Sequence, residues 1–293
     1  MDGRRRHYRV RVPAELDPER PAPLVVALHS AFSTGRQLAA WSGFDARADR
    51  DGVVVVYPEG FGILGLLQHW NAGHCCGRAA RKGIDDLGYL DAVVRDARAR
   101  YAVDPDRLYL AGYSNGGMMA HLFAAARADS VAALAVVAGP VGSATGGEDP
   151  AIALPEPGRP VPALVLHGTA DVNIPYEGGP APANPGRRYL PAIESARFWA
   201  CANGVMGPDP PLHADARGIG TRAWGAGTPG REVVLRTLPD WDHAWPGGRI
   251  TARLDAGHPL HGYEAADEIW AFFRRHGLAV REAPAGPKPA AAR

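Results

Sequence analysis

Six short segments of this chain are apolar or nearly so, and polar or amphipathic stretches separate them. An uninterrupted apolar run is typical of a strand that is buried on both faces of a sheet. Residues 7–12 instead alternate polar and apolar side chains, which predicts a half-buried edge strand. The six apolar runs are residues 24–28, 53–57, 108–111, 133–138, 163–166 and 233–238.

The stretches between these runs include segments with helical spacing. Apolar residues recur every three or four positions from 84 to 101, which predicts an amphipathic helix, and residues 193–202 and 265–273 predict two more. Asp85 and Asp86 fall in the first turn of the first helix, where we expect them to cap and anchor it rather than to catalyse. Strands alternating with helices predict an α/β fold with a mostly parallel central sheet and helices on both faces.

The remaining segments predict one domain with long surface connections. Residues 142–162, 178–187 and 204–230 are rich in glycine, proline and charge, and we expect loops or small insertions there because strand-like runs resume after each. We therefore predict a single domain over residues 1–280. The tail, 281–293, is of low complexity and is predicted to be disordered.

Charge and composition argue against several classes of function. The 293-residue chain has a formal net charge of +1, so we expect no nucleic-acid partner, since such proteins usually concentrate basic residues. No apolar run approaches the ~20 residues that span a bilayer, so no membrane insertion is expected. No His and Cys residues have zinc-ligand spacing, and no metal site is expected. No signal peptide is visible, so the protein is either cytoplasmic or lacks its leader in this sequence.

The most informative segment follows the apolar run 108–111 and reads Gly112-Tyr113-Ser114-Asn115-Gly116. A Gly-X-Ser-X-Gly sequence between a strand and a helix is the setting of the nucleophile elbow. The serine needs small neighbours there, since a side chain at 112 or 116 would collide with adjacent backbone. A plain glycine turn is the alternative, and the flanking strand and helix favour the elbow.

A serine attacks well only when a base takes its proton, so an acid and a histidine should follow in that order. Asp171 lies just beyond the run 163–166, at the carboxyl end of a predicted parallel strand, and His243 follows the run 233–238. Asp242 is less suitable as the acid because neighbours in sequence seldom face the same point. We predict a triad of Ser114, Asp171 and His243.

Acyl transfer also needs donors for the oxyanion. One is expected to be the backbone N–H of Asn115, the residue after the nucleophile. The other should come from the loop after the first central strand, where the N–H of Ala31 is the first candidate and that of Ser30 the second.

Together these motifs resemble the polyhydroxybutyrate depolymerase and feruloyl (acetylxylan) esterase group of the α/β-hydrolase superfamily. The resemblance extends to about residue 278 and implies an α/β-hydrolase fold. It also implies a secreted or periplasmic serine esterase, acting without a cofactor on esters of hydroxy acids or phenolic acids. The matching segments are Asp2-Gly3, residues 70–77 (Trp-Asn-Ala-Gly-His-Cys-Cys-Gly), 84–88 (Ile-Asp-Asp-Leu-Gly), 112–117, 167–171 (His-Gly-Thr-Ala-Asp), 174–176 and 243–248.

Two positions depart from the pattern of this group. The loop after the first strand usually reads His-Gly, and here it is His29-Ser30, which restricts the backbone beside the predicted oxyanion donors. The residues before the histidine are usually rich in glycine, and here they are Asp240-Trp241-Asp242, which we expect to reshape the rim of the site.

Three residues are candidates for contact with substrate. Trp245 lies two residues beyond His243 and either lines the pocket or packs its loop against the sheet. Trp70 and Asn71 are the other candidates, and a buried structural tryptophan is the alternative for the first of them.

The three cysteines are too few for a disulfide framework. Cys75 and Cys76 are compatible with a vicinal disulfide, with two free thiols, or with a disulfide from either to Cys201. We expect a structural role for them.

The sequence thus predicts a serine hydrolase that cleaves carboxylic esters. A peptidase or amidase and a cofactor-free perhydrolase of the same fold would use the same triad. A hydrolase-fold binding protein with a dead site is a further alternative, and the presence of all three triad residues argues against it.

Overall fold

A computed structural model describes residues 5–63 and 65–278, so the predicted disordered tail lies outside the described residues. None of the described helices is both long and apolar enough to cross a bilayer. The strands are β1 (Tyr8–Arg11), β2 (Ala22–Leu28), β3 (Val54–Pro58), β4 (Phe61–Ile63), β5 (Leu66–His69), β6 (Val103–Tyr113), β7 (Ala133–Val137), β8 (Ser143–Thr145), β9 (Ala163–Gly168), β10 (Gly179–Ala181), β11 (Asn184–Tyr189), β12 (His213–Ala214), β13 (Gly220–Trp224) and β14 (Val233–Leu238). The helices are α1 (Gly35–Trp41), α2 (Phe44–Asp51), α3 (Gly77–Arg81), α4 (Asp86–Arg100), α5 (Asn115–Ala126), α6 (Ala192–Ala202), α7 (Gly248–Ala252) and α8 (Ala265–Phe273).

The central sheet has the strand order β1-β3-β2-β6-β7-β9-β14-β13-β12. Its six middle strands, from β3 to β14, are parallel to one another and contain the six apolar runs of the sequence. β1 pairs antiparallel with β3 at one edge, while β13 and β12 continue the sheet antiparallel at the other. The predicted mostly parallel sheet and the predicted edge strand are confirmed.

Both faces of the sheet are covered, which explains why its strands are continuously apolar. On β2, Leu24 and Val26 belong to a core shared with α4, α5 and α6. The intervening Val25 belongs to the core on the other face, shared with α1, α2 and α8. Because successive side chains of a strand point to opposite faces, every residue of such a strand must be apolar.

The segments rich in glycine and proline are more regular than predicted. The stretch 142–162 contains β8, and β10 and β11 fall in or beside 178–187; these three strands form a small antiparallel sheet. The stretch 204–230 contains β12 and β13 of the central sheet. Glycine, proline and charged residues concealed these strands because they are typical of loops, and β8 in addition pairs with a segment distant in sequence, as Arg187 opposite Thr145 illustrates.

The two aspartates at the start of α4 anchor it as predicted. Asp85 is the N-cap, and its side chain accepts a hydrogen bond from the backbone N–H of Gly88 at 2.8 Å. Asp86 is buried and forms an ion pair with Arg6 at 2.7 Å.

The cysteine pairing left open by the sequence is a vicinal one. Cys75 and Cys76 form a disulfide with each other, and Cys201 is an exposed free thiol on α6.

Candidate active site

The predicted nucleophile lies at the turn between β6 and α5. Ser114 has φ of 55° and ψ of −120°, a conformation that non-glycine residues seldom adopt. Its backbone N–H donates a hydrogen bond to the carbonyl oxygen of Val137, 2.8 Å away on β7. The turn therefore places the serine at the carboxyl edge of the parallel sheet, where ligand sites of open α/β sheets are found.

The glycines on either side of the serine are required by close backbone approach. A Cβ atom at Gly112 would overlap the carbonyl oxygen of Gly116 across the turn. One at Gly116 would overlap the carbonyl oxygen of Leu28 at the end of β2. The predicted exclusion of side chains at both positions is confirmed.

The structure brings the three predicted triad residues together. His243 Nε2 lies 2.9 Å from Ser114 Oγ, and His243 Nδ1 lies 2.6 Å from Asp171 Oδ2. A carboxylate can only accept, so the proton of the neutral ring is on Nδ1 and the lone pair of Nε2 faces the serine hydroxyl. Ser114 and Asp171 are buried, whereas His243 is half-buried. The arrangement can take a proton from the serine and hold the resulting imidazolium against a carboxylate.

Asp171 is held as an anion although it is buried. Burial favours the neutral acid, but hydrogen bonds from His167 and His243 outweigh it and hold the pKa of Asp171 well below its ordinary value. Its Oδ1 also accepts the backbone N–H groups of Asn173 at 2.9 Å and Ile174 at 2.8 Å.

His167 is a residue of this site that the sequence did not single out. Its Nε2 donates to the carbonyl oxygen of Ile174 at 2.8 Å and lies 3.3 Å from Asp171 Oδ2. His167 therefore lies beside the same carboxylate oxygen of Asp171 that His243 contacts. Its position within β9, four residues before the predicted acid, was the only sequence signal for this role. The fold turns the loop that carries Asp171 and Ile174 back towards His167.

Tyr113, the residue before the nucleophile, supports the histidine. Its hydroxyl donates a hydrogen bond to the backbone carbonyl oxygen of His243, and its ring centroid is 5.6 Å from that of the imidazole. Trp245 packs edge-on behind Tyr113, with ring centroids 6.1 Å apart. Trp245 is only 3% exposed, donates from Nε1 to the carbonyl oxygen of Ser42 at 3.1 Å, and does not line the cavity above Ser114. Of the two predicted alternatives for Trp245, its position fits packing, because Tyr113 lies between it and the cavity.

Trp70 also lies outside the cavity, behind its wall. The side chain is fully buried, and its Nε1 donates to the carbonyl oxygen of His29 at 2.9 Å. Its backbone N–H donates to Asn115 Oδ1 at 2.7 Å, and its carbonyl oxygen accepts from Asn115 Nδ2 at 3.1 Å. Trp70 therefore joins the loop after β2 to the start of α5, and the alternative of a buried structural tryptophan fits its position.

Asn71 is likewise not a lining residue of the cavity. Its backbone N–H donates to Asp86 Oδ2 at 2.7 Å, and its Nδ2 donates to the carbonyl oxygen of Ile84 at 2.9 Å. These bonds fasten its turn to the beginning of α4 and leave the amide away from the substrate space.

The two predicted oxyanion donors border the cavity. Ala31 and Asn115 both line it beside Ser114. Within the described part of the chain, neither backbone N–H donates a hydrogen bond to another protein group. The N–H of Phe32, by contrast, is bound to the carbonyl oxygen of Gln68 at 2.8 Å. Two unengaged N–H groups beside a nucleophile can stabilise a developing negative charge.

The loop bearing Ala31 is fixed by a neutral buried histidine. Burial lowers the pKa of His29 to about 4. Its Nδ1 donates to the carbonyl oxygen of Ser30 at 2.7 Å, and its Nε2 accepts the backbone N–H of Gly60 at 2.9 Å. Ser30 is not among the residues with positive φ, so serine in place of the usual glycine introduces no left-handed strain there.

The cavity above the triad has a volume of about 500 Å³. Ser114 and His243 line it, and Met118, Ile174 and Tyr189 contribute apolar or aromatic surface. Within residues 5–63 and 65–278, no group of three or more His, Cys, Asp or Glu side chains is placed to hold a metal ion.

Comparison with known proteins places this chain among esterases. Residues 7–182 match the family model described as Esterase PHB depolymerase. The chain is 30% identical over 272 residues to a Nocardia uniformis subsp. tsuyamanensis protein provisionally named the esterase NocK, covering 86% of this chain and 74% of that protein. It is 28% identical over 276 residues to feruloyl esterase C of Emericella nidulans, covering 92% and 83% respectively. The solved acetyl xylan esterase from Aspergillus awamori superimposes with a TM-score of 0.57 at 17% identity, over 80% of this chain and 88% of that chain, so the predicted α/β-hydrolase fold is confirmed.

Proposed function

Because this chain belongs to the Esterase PHB depolymerase family, we propose that Ser114, His243 and Asp171 perform the ester hydrolysis that this membership assigns to it. The chain is a serine-dependent carboxylic ester hydrolase, and its relatives are esterases by name. One observation supports the residue assignment above all: His243 lies within hydrogen-bond reach of both Ser114 Oγ, at 2.9 Å, and Asp171 Oδ2, at 2.6 Å.

In the proposed first half-reaction, Ser114 Oγ attacks the ester carbonyl carbon while His243 Nε2 takes the hydroxyl proton. Asp171 keeps the ring in the tautomer that can accept this proton and stabilises the imidazolium. The N–H groups of Ala31 and Asn115 donate to the oxyanion of the tetrahedral intermediate. When the intermediate collapses, the C–O bond to the alcohol breaks, and His243 returns its proton to the departing oxygen.

The second half-reaction reverses these roles with water as the nucleophile. His243 takes a proton from water as the water oxygen attacks the acyl carbon, and the same two N–H groups stabilise the second oxyanion. Collapse breaks the bond to Ser114 Oγ, which regains its proton from His243 and releases the acid. No cofactor is needed for any step of this sequence.

The substrates we propose are hydroxyalkanoate oligomers or feruloyl or acetyl esters. The family description and the names of the relatives support this class, and also favour esters over the amides that a peptidase would cleave. Perhydrolase activity, which would use the same triad, is the second candidate function. A secreted or periplasmic location is likewise proposed from the family resemblance.

The test is hydrolysis of methyl ferulate and of a 3-hydroxybutyrate oligomer, measured side by side with the native protein and with Ser114→Ala. We expect the native protein to cleave at least one of them and the variant to lose about 10⁶-fold in kcat, because an activated nucleophile is removed. Cleavage of only a para-nitrophenyl ester would retain the esterase and reject both substrate classes. Equal rates for native protein and variant would contradict the proposed triad.

A further inference from the structure

Two arginines line the cavity above the proposed triad, and no acidic residue lines it with them. Arg81 is the last residue of α3, and Arg187 lies on β11 of the small antiparallel sheet. The residues of this cavity that the structure describes include no Asp or Glu. The two guanidinium groups therefore give the substrate space a positive charge at neutral pH.

Neither arginine is neutralised by a carboxylate within the described residues. Arg81 makes no hydrogen bond or ion pair with another described side chain. Arg187 donates from one guanidinium nitrogen to Ser143 Oγ at 3.0 Å, which fixes the head group without neutralising it. Its neighbour on β11, Arg188, forms an ion pair with Asp149 at 3.6 Å and does not line the cavity.

The serine that binds Arg187 is itself fixed by two contacts with His74. Ser143 is buried, and its Oγ donates to the backbone carbonyl oxygen of His74 at 3.2 Å. His74 Nδ1 lies 2.9 Å from Ser143 Oγ. Burial, with a smaller effect of Arg187, lowers the pKa of His74 to about 4, so this histidine stays neutral and adds no charge. The guanidinium of Arg187 is thus pre-positioned with N–H groups left for a ligand.

The histidine beside Arg81 is also neutral. His69 lines the cavity and is buried, and burial, with a smaller effect of Arg81, lowers its pKa below the ordinary value. Its Nδ1 donates to the carbonyl oxygen of Leu67 at 3.0 Å. The positive charge facing a substrate therefore comes from the arginines, which keep it at all physiological pH values.

We propose that Arg81 and Arg187 bind a carboxylate carried by the ester substrate, so that this enzyme prefers anionic esters to neutral ones. This inference rests on the proposed function, because it concerns the substrate of the same site. A guanidinium binds a carboxylate through charge-assisted, often bidentate hydrogen bonds, and the partly enclosed cavity reduces competition from solvent. The carboxylate is either on the acyl side, as in a hemiester of a dicarboxylic acid, or on the alcohol side, as in an ester of a hydroxy acid.

Two matched pairs of substrates distinguish a carboxylate on the acyl side from one on the alcohol side. The acyl-side pair is the para-nitrophenyl hemiester of glutaric acid and the para-nitrophenyl ester of glutaric acid monoamide. The alcohol-side pair is the acetyl ester of 3-hydroxybutyrate and that of 3-hydroxybutyramide. Each pair differs only by a carboxylate in place of a carboxamide. We expect kcat/KM to favour the anionic member of at least one pair by about tenfold, and the preference to shrink as salt is added.

A ratio of kcat/KM for the anionic ester to that for the neutral ester above one supports the proposal even before any variant is made. A second negative charge near the developing oxyanion opposes the reaction, so a neutral wall would make the anionic member the poorer substrate. If the neutral esters are hydrolysed and the ratio is one or less in both pairs, the arginine assignment is rejected while the esterase is retained. If none of the four esters is hydrolysed, and neither is methyl ferulate nor the 3-hydroxybutyrate oligomer, the proposed function itself is contradicted.

Variants then test whether Arg81 and Arg187 cause the preference for the anionic ester. Arg187→Gln and Arg81→Gln are expected to reduce the anionic-to-neutral ratio by about tenfold, chiefly through a higher KM for the anionic ester, since uniform binding is lost. Arg187→Lys should keep part of the ratio because it keeps the charge. Arg188→Gln on β11 and Arg78→Gln on α3 are the matched controls, and their ratios should equal that of the native protein. Equal losses in controls and cavity variants would overturn the proposal.

Discussion

Two groups of side chains at the site differ in how they are held. In the buried group, Ser114 and Asp171 are 7% and 4% exposed, and both lie within hydrogen-bond reach of His243, which is distant from them along the chain. In the outer group, Phe32 is 69% exposed, Arg81 is exposed, and the side chain of Arg187 is held by one hydrogen bond, to Ser143. The first group sits on the parallel sheet, and Arg187 sits on a small separate sheet.

This difference separates chemistry from recognition. A change in the buried group should affect kcat for every ester alike, because it alters groups proposed to meet the reacting atoms. A change in the outer group should instead alter the ranking of esters, since it affects only substrates that reach those side chains. Three predictions test this separation in the buried group, from the largest expected free-energy change to the smallest.

The largest effect is expected at the acid. Asp171→Asn should lower kcat by about 10⁴-fold for anionic and neutral esters alike, because an amide no longer stabilises the imidazolium or enforces the reactive tautomer. The measurement is steady-state kinetics on both substrate pairs, with circular dichroism as a check on folding. Asp242→Asn, an exposed neighbour of His243, is the control and should stay within about twofold of native activity. A larger loss in Asp242→Asn would transfer the role of acid to that residue.

The second prediction concerns the pH dependence of the free energy of unfolding, to which the buried His29 contributes. The pKa of His29 is lowered to about 4 in the folded protein, whereas an unfolded histidine titrates near 6.5. The unfolded state therefore binds the extra proton between these values, and the free energy of unfolding falls as the pH drops from about 6.5 to 4. His29 should contribute at most about 3 kcal/mol to this loss.

Urea denaturation at several pH values across this window measures the slope. His29→Gln, which cannot titrate, should lose less free energy of unfolding over the window than the native protein. His261→Gln, at an exposed histidine, should keep the native slope. Identical slopes for the native protein and His29→Gln would mean that His29 is not neutral and buried as described.

The smallest effect compares two buried tryptophans. Trp70→Phe removes the Nε1 donor to the His29 carbonyl oxygen and should cost about 1–2 kcal/mol of stability. It should also lower kcat by about tenfold, since Trp70 joins both segments that carry the proposed oxyanion donors. Trp245→Phe removes a similar bond, to the Ser42 carbonyl oxygen, and should cost similar stability with a smaller loss of kcat. Equal losses of kcat would contradict a particular role of Trp70 in positioning the proposed oxyanion donors.

Regular structure was largely predictable because burial imposes a pattern on local sequence. The run 233–238 and the segment 265–273 coincide with β14 and α8. The strand of Ser114 was predicted too short, since β6 begins at Val103, where partly exposed residues precede the apolar ones. That Ser114, Asp171 and His243 meet was also predictable, because the elbow and the ends of parallel strands each leave a local signature.

The residues that surround the triad were less accessible. Trp70, Asn71 and Trp245 are compatible in sequence with either a pocket or a core, and all three lie outside the cavity. Tyr113 supports the site through a bond to the His243 backbone, which is far away along the chain. His167 is near Asp171 in sequence, but their contact depends on the loop between them turning back.

The sequence by itself thus determined the layered α/β fold, the elbow at Ser114 and the order of Ser114, Asp171 and His243, because each depends on periodicity or on residues that are neighbours in the chain. Only the tertiary structure decided which N–H groups are left unengaged and which side chains form the wall, including Arg81 and Arg187. Those properties depend on contacts between segments distant in sequence, and local pattern carries no information about which of them will meet.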